Sequence, residues 1–304
     1  MGISFFTALL FAIHPVQVET VCWISASKIV LSTFFYLSAL ICYIQYMRNS
    51  KWQYLLASVV SSILAMGCKE QSVIIVPCLL LFDWMLFKRN MRSLKVYIEK
   101  VYYLIPAIAI FIVTLVANKN TGEEIIGYTI VDRFIFLCYS VFKYLLISAI
   151  PFKLSYLYPF HFQVGEKIPM ALWIYPFVIL FIGYVIYLYR RKTLLVFGTL
   201  FFILHLLPVL HVIPLPRYVV AADRYLYIPY IAFAIGLSIL SYHLYERQRK
   251  WILYAGFLYC SYLCVYTASY APAWKNSDTL KEHFKEVLKK RETNLSINYK
   301  NEKQ

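Results

Sequence analysis

Charge is what this sequence has least of. Of its 304 residues only 15% are Asp, Glu, Lys or Arg, where a soluble domain carries about 25%. With 61% hydrophobic residues and a mean hydropathy of +0.64, that scarcity excludes a water-soluble globular protein. Acidic residues are scarcer still, 15 against 30 Lys and Arg, for a formal net charge of +15. On a soluble chain that surplus would suggest nucleic acid. Here no nucleic-acid partner is expected, because basic cytoplasmic loops beside anionic lipid headgroups account for it. Paired cysteines are also missing. The seven cysteines form no CxxC and sit mostly inside apolar runs, which excludes a disulfide framework or a zinc site. Cys260 and Cys264 share a helix face, but no His or carboxylate stands near them in sequence. Residues 3–13 have no basic segment before them and no small-residue cleavage site after them, so a signal peptide is not indicated. Phe6 stands where a myristoylation motif wants a hydroxyl.

What the chain has in abundance is apolar length. Aromatics make up 18% of it, with 28 Tyr and 22 Phe. Continuous rather than alternating apolar runs recur at 30–47, 53–67, 72–87, 101–117, 134–150, 171–189, 194–210, 224–242 and 251–269. In lipid every backbone polar group must be satisfied internally, so such runs become helices. The expected fold is all-α. It is a polytopic helical bundle with about nine spanning or half-spanning helices plus interfacial helices. Residues 1–270 form the membrane domain. Residues 271–304 form an extracytoplasmic amphipathic helix, beginning near Ser277-Asp278, and an unstructured tail. Residues 3–13 read as half a helix, as if earlier helices preceded them.

Loops 48–51, 88–100, 190–192 and 246–250 are short and rich in Lys and Arg, which places them in the cytoplasm. Three apolar runs lie between the second and third of these loops, yet an even number must cross. The run 134–150, with Lys143 in its middle and Asp132-Arg133 at its start, is the weakest. It is expected to stay on the outer face, leaving 118–170 as one outer segment. The outer side then collects residues 14–28, Lys69-Glu70, Asp132-Arg133, the stretch from Tyr156 to His161, and the stretch from Pro208 to Pro229. That last stretch holds a histidine, two arginines, an aspartate and four prolines between greasy flanks. Charge at the lip of a membrane helix costs free energy unless it is paired, wet or used.

Two of these outer segments carry a resemblance. The pattern His14-Pro-Val-x-x-Glu19-x-Val-x-Trp23-Ile-x-x-x-Lys28 resembles an outer-face motif of the transmembrane and tetratricopeptide-repeat-containing O-mannosyltransferases and their bacterial relatives. The pattern Leu206-Leu-Pro208 through Asp223-Arg224-Tyr225-x-Tyr227-x-Pro229 is similar to a second motif of that family. Cys68-Lys69-Glu70, Phe82-Asp83-Trp84 and the segment from Trp274 to Leu280 agree with it in order and spacing. Ser27 and Ile29 flank Lys28 where the family often has a basic–acidic pair, and His211 stands near an expected Asn. The resemblance implies a GT-C glycosyltransferase fold. It implies an enzyme that takes a sugar from a polyprenyl-phosphate carrier and passes it to a protein or glycan acceptor on the extracytoplasmic face. That face belongs to a bacterial inner membrane or, in a eukaryote, to the endoplasmic reticulum. It places the family's main catalytic carboxylate ahead of Met1, and a tetratricopeptide array after the last helix. No cofactor beyond the lipid-linked sugar and no metal is expected.

Sugar transfer needs a base for the acceptor hydroxyl and cations for the departing phosphate. Arg224 is the first phosphate candidate, because its rigid fork suits phosphate oxygens. Lys28, Lys69 and Arg217 are further cations; His14 and Tyr225 are polar members of the site. Glu19 and Asp223 are the carboxylates at hand. The competing reading has Asp223 capping a helix that starts at Arg224, with Arg224 reaching to headgroups. It has Lys28 and Lys69 as interfacial anchors and His14 as a structural hydrogen-bonder. Two other functions compete with transfer. A lipid-linked-sugar transporter or flippase would place ionisable residues at helix midpoints, whereas these cluster at helix ends. A non-catalytic or degenerate relative would keep the fold alone.

Overall fold

The computed structural model describes residues 2–120, 128–152, 154, 155, 158, 166–210, 220–282 and 285. These form α-helices joined by short 3-10 turns, with no strand beyond a single antiparallel bridge between Tyr158 and Ala221. The helices are α1 (Gly2–Ile13), α2 (Val18–Cys22), α3 (Ser27–Asn49), α4 (Trp52–Cys68), α5 (Ile75–Met85), α6 (Leu94–Asn120), α7 (Ile130–Ala149), α8 (Ile174–Leu188), α9 (Thr193–Leu206), α10 (Pro229–Arg247) and α11 (Arg249–Tyr270).

Among the described residues four helical stretches are long and apolar enough to cross a bilayer: Ile24–Asn49, Leu94–Ala117, Met170–Leu188 and Arg249–Trp274. A fifth arises if Gly2–Ile13 and Pro15–Cys22, bent by 55°, count together. An integral membrane protein is compatible with this. The structure is all-helical as expected, and the expected count of about nine spanning or half-spanning helices goes beyond these stretches. α4, α5 and α9 have 17, 11 and 14 residues, short of the ~20 needed at 1.5 Å per residue. α7, expected to remain on one face, is not among the four. The outward faces are greasy. Phe177, Leu180 and Phe257 are 69%, 70% and 72% exposed, the inverse of a soluble surface and the mark of a lipid-facing or partner-facing one.

Inside, small hydroxyls hold the helices together. The α3–α4 hairpin turns at Ser50, which takes a left-handed φ of 54°. It is pinned by Ser58 Oγ donating to the Ala39 carbonyl at 2.7 Å and by Ser32 Oγ, 2.9 Å from the Ala65 carbonyl. Tyr103 of α6 donates to Ser58 Oγ at 2.8 Å, and Thr7 of α1 to Ser238 of α10 at 3.0 Å. Such bonds join helices where apolar burial gives no preference over lipid. Two apolar cores result. One gathers α3–α6 and α9 around Tyr36, Tyr43, Leu79 and Tyr103. The other gathers α1, α7, α9, α10 and α11 around Leu10, Tyr144, Leu206 and Tyr230.

α3 carries an ionic cluster toward its C-terminal end. Asp83 lies 2.6 Å from Lys100 Nζ and 3.3 Å from Arg89, and accepts from Tyr43 OH at 2.5 Å. Arg89 also binds Glu99 at 2.6 Å. Tyr43 and Lys28 are separated by about 23 Å along α3 at ~1.5 Å per residue, so Asp83 lies far from the outer motifs.

Candidate functional site

The site begins where α1 is broken. Pro15 has no amide hydrogen to continue the helix, so the chain bends at His14. The freed Val16 N–H donates to His14 Nδ1 at 3.3 Å. The chain then runs as a 3-10 turn into α2. These short pieces carry Gln17, Glu19 and Thr20 into the protein, all buried, with Glu19 and Thr20 fully inaccessible. Five residues of helix cannot hold themselves. A second element meets them, the 3-10 turn Asp223–Leu226, which opens α10 ahead of Pro229. Its approach is fixed by α7 and the bridge strand. Ser140 Oγ donates to the Val220 carbonyl at 3.2 Å, Val220 N–H to the Tyr158 carbonyl at 2.8 Å, and Ala222 N–H to Tyr144 OH at 3.2 Å.

Where the two elements touch, Glu19 takes both polar groups of Arg224. Nη1 of the guanidinium donates to Oε1 at 2.5 Å and the Arg224 backbone N–H to Oε2 at 2.9 Å. The guanidinium also faces the rings of Trp23, 5.6 Å from its centroid, and Tyr225, 5.0 Å. The Arg224 side chain keeps 18% exposure, so part of its fork reaches solvent. Asp223, fully buried, turns the other way and accepts from Tyr158 OH at 2.8 Å. Burial and the neighbouring Glu19 charge push its carboxyl well above the usual range, against the opposing effects of Tyr158, Lys143 and Arg224. Burial and Asp223 push the Tyr158 phenol well above its ordinary value too. Asp223 and Tyr158 are thus a buried hydrogen-bonded pair beside the Glu19–Arg224 pair, and burial pushes the Glu19 carboxyl upward against the opposing pull of Arg224. Lys143 lies over the Tyr158 ring at 5.3 Å.

Several buried polar atoms around this contact have no hydrogen-bond partner among the described residues. They are both side-chain polar atoms of Gln17, Thr20 Oγ1, Asp223 Oδ2 and Tyr230 OH. His14 packs on Tyr230 with ring centroids 4.3 Å apart, and burial pushes its imidazole down to about 3, so it stays neutral. Each such atom costs about 1–3 kcal/mol if left dry. Their concentration in one place marks an interior suited to hydroxyl-bearing ligands or water. No group of three or more His, Cys, Asp or Glu side chains placed to hold a metal occurs among the described residues.

Of the residues singled out from sequence, the structure brings His14, Glu19, Asp223, Arg224 and Tyr225 into this one neighbourhood. Lys28 and Lys69 stand together at the adjacent end of the α3–α4 hairpin. Lys69 pairs with Glu70 at 2.5 Å, and exposed Lys28 is within electrostatic reach of Glu70. Ala26 and Ile29 pack with Tyr227, which joins this end to the Asp223 turn. Arg217, with His211, Tyr156 and His161, lies outside the described residues.

The competing capping role for Asp223 is not what the geometry shows. The cap position of that turn is Ala222, and the Asp223 carboxylate makes no cap bond. Glu19, from another segment, accepts the Arg224 N–H instead. Sequence reasoning missed Gln17, Thr20 and Tyr230, which look like ordinary residues of apolar helices, and gave Tyr158 no role of its own. Lys143 faces Tyr158, and Arg133 Nε folds back on the Tyr128 carbonyl at 3.1 Å. The tail helix starts at Ser277, where it was expected. Asn276 Oδ1 accepts from the N–H groups of Asp278 and Thr279, so Asn276 is its cap.

No family model, curated protein or solved structure matches this chain.

Proposed function

We propose that the chain is an integral-membrane, GT-C-type glycosyltransferase. It moves a sugar, mannose in the family it resembles, from a polyprenyl-phosphate carrier to a protein or glycan acceptor. The reaction takes place on the extracytoplasmic face of a bacterial inner membrane or the lumenal face of the endoplasmic reticulum, with the loops 48–51, 88–100, 190–192 and 246–250 opposite. The observation that carries the reading is the buried Glu19–Arg224 pair with Asp223 beside it. It sits among unpartnered buried polar atoms and aromatic rings, at the meeting of the two motifs that carry the family resemblance.

Arg224 binds the carrier phosphate through the part of its fork that reaches solvent, with Lys28, Lys69 and Arg217 as further cations. Phosphate arriving at Arg224 competes with Glu19 for the guanidinium. The released carboxylate then accepts the proton of the acceptor hydroxyl while its oxygen bonds to the anomeric carbon. The bond from that carbon to the phosphate oxygen breaks, and the polyprenyl phosphate leaves as an anion. Asp223, His14 and Tyr225 shape the polar wall. The open apolar groove of about 510 Å³ between α5 and α9, lined by Pro77, Leu80, Trp84, Leu200 and Leu204 among others, suits a prenyl chain.

Full burial of Glu19 and Asp223 favours one second reading, a non-catalytic subunit that holds the carrier lipid. The test is transfer from a radiolabelled polyprenyl-phosphate mannose in proteoliposomes, alongside direct binding of the same lipid. Transfer that Arg224→Ala abolishes supports the enzyme. Binding without transfer supports the subunit, and neither activity overturns both.

A further inference from the structure

The segment after α11 folds back onto the site rather than leaving it. Thr267 Oγ1 donates to the Ile13 carbonyl at 2.7 Å, tying the end of α11 to the end of α1. The chain then makes the 3-10 turn Ala271–Trp274, which packs on α2. Trp274 is 7% exposed. Its ring lies 5.8 Å from Trp23, tilted by 40°, and meets Tyr270 edge-on at 6.2 Å. Trp23 is the same ring that faces the Arg224 guanidinium at 5.6 Å. Leu280, after the Asn276 cap, packs against the core that contains Leu10 and Tyr230. Trp274, Trp23, Arg224 and Glu19 are thus consecutive contacts, drawn from three separate segments of the chain.

We propose that Trp274 is a positioning residue for Arg224, acting through Trp23, and that residues 271–282 form a wall of the site. The physical basis is direct. Arginine has many rotamers and one strong partner here. Two flanking rings, Trp23 and Tyr225, confine the guanidinium to the plane in which Nη1 reaches Glu19. Trp23 follows α2 at a helix end, and Trp274 is a large neighbour bracing its ring from outside. Without that brace the Trp23 ring gains freedom and Arg224 loses one of its confining faces. The positioning stands on geometry alone; its consequence for carrier binding rests on the function proposed above.

The experiment is arginine-specific labelling with 2,3-butanedione of the purified chain in detergent, read at Arg224 by peptide mass spectrometry. Arg190, stacked on Tyr187, is the internal reference. Trp274→Ala is expected to accelerate labelling of Arg224 about 3- to 10-fold and leave Arg190 unchanged. Trp274→Phe, which keeps an aromatic face, is expected to restore a rate near that of the parent chain. Trp274→Leu keeps apolar bulk without the ring face and serves if the alanine variant does not fold; it should behave as the alanine variant does. In the transfer assay Trp274→Ala and Trp274→Leu should raise KM for the polyprenyl-phosphate sugar with little change in kcat, and Trp274→Phe should leave KM near that of the parent chain. An unchanged Arg224 labelling rate in a folded Trp274→Ala or Trp274→Leu protein overturns the positioning. Accelerated labelling in a chain that transfers no sugar leaves the positioning intact and refutes the enzyme.

Discussion

Removing the charge of Glu19 isolates the strongest polar contact of the site. Glu19→Gln keeps nearly the same volume and one acceptor oxygen, but leaves the Arg224 guanidinium without its counter-ion. Glu19 is fully buried, and the Arg224 side chain is 18% exposed. Breaking a buried pair by removing one partner costs ~3–5 kcal/mol. Because the Arg224 side chain keeps some exposure, and the glutamine oxygen still accepts from the backbone N–H of Arg224, the lower end applies, about 3 kcal/mol. That corresponds to roughly a hundredfold change in the ratio of folded to unfolded protein. The assay is thermal unfolding in detergent micelles for the parent chain, Glu19→Gln, Arg224→Met and the double variant. The double variant should lose less than the sum of the singles, with a coupling of ~1–3 kcal/mol, because the second substitution removes the charge that the first left stranded. A coupling near zero, or a Glu19→Gln loss below ~1 kcal/mol, would refute the reasoning. It would mean that the guanidinium is already hydrated and that Glu19 does not hold it.

Further outcomes follow from the neighbouring groups. Asp223 has a folded pKa raised above its unfolded value of ~3.9, so its contribution to stability is fully present below that value. It is lost as pH rises toward the folded pKa. Asp223→Asn, which still accepts from Tyr158, should flatten the fall in melting temperature between pH 4 and 8 and raise stability at the upper end; an unchanged pH profile would show Asp223 to be ionised throughout. Tyr158→Phe removes the donor at 2.8 Å and should cost ~1–3 kcal/mol, measured by the same melting assay. Thr20→Val should cost stability if water or ligand satisfies Oγ1, and be neutral or stabilising if the atom is dry. Asp83→Asn strips the charge that holds Lys100 and Arg89 and should cost ~3–5 kcal/mol, while leaving butanedione labelling of Arg224 unchanged.

How much of this was legible beforehand depended on the kind of signal. The helical class followed from apolar runs, because lipid leaves a backbone no alternative. The meeting of residues 14–28 with 208–229 was legible only as two polar interruptions assigned to one face. That Glu19 would cap the Arg224 turn, while Asp223 turned toward Tyr158, was not. Both carboxylates sit beside helix starts, and sequence favours the nearer one as the cap. Gln17 and Thr20 gave no signal, since one polar residue in a greasy segment has no periodic pattern to violate. Trp274 read as part of a linker; only the fold of the chain after α11 sets it against Trp23. A run of apolar residues does not show where a proline or a 3-10 turn will divide it, as the turn Glu70–Ile74 does before α5.

The two ionic clusters near opposite ends of α3 differ in how completely their polar groups are satisfied. At the end near Tyr43 every carboxylate oxygen has a donor. Asp83 Oδ1 takes Tyr43 and Oδ2 takes Lys100 and Arg89; Glu99 Oε1 takes Tyr46 and Arg89, and Oε2 takes Arg89 again. A buried polar network satisfied this completely resists change, because any new partner must displace an old one at the full cost of desolvation. Near Lys28 the opposite holds. Glu19 is held by the Arg224 guanidinium and by backbone N–H groups of the Asp223–Arg224 turn, Asp223 Oδ2 and both Gln17 polar atoms have no partner among the described residues, and Arg224 keeps an exposed edge. That network gains by accepting a partner, and an anion bearing hydroxyl groups can satisfy the guanidinium and the unpaired acceptors and donors together. The asymmetry sets a direct expectation. Ligand-induced stabilisation by a polyprenyl-phosphate sugar should vanish in Arg224→Ala and persist in Asp83→Asn, even though the second substitution costs the fold more.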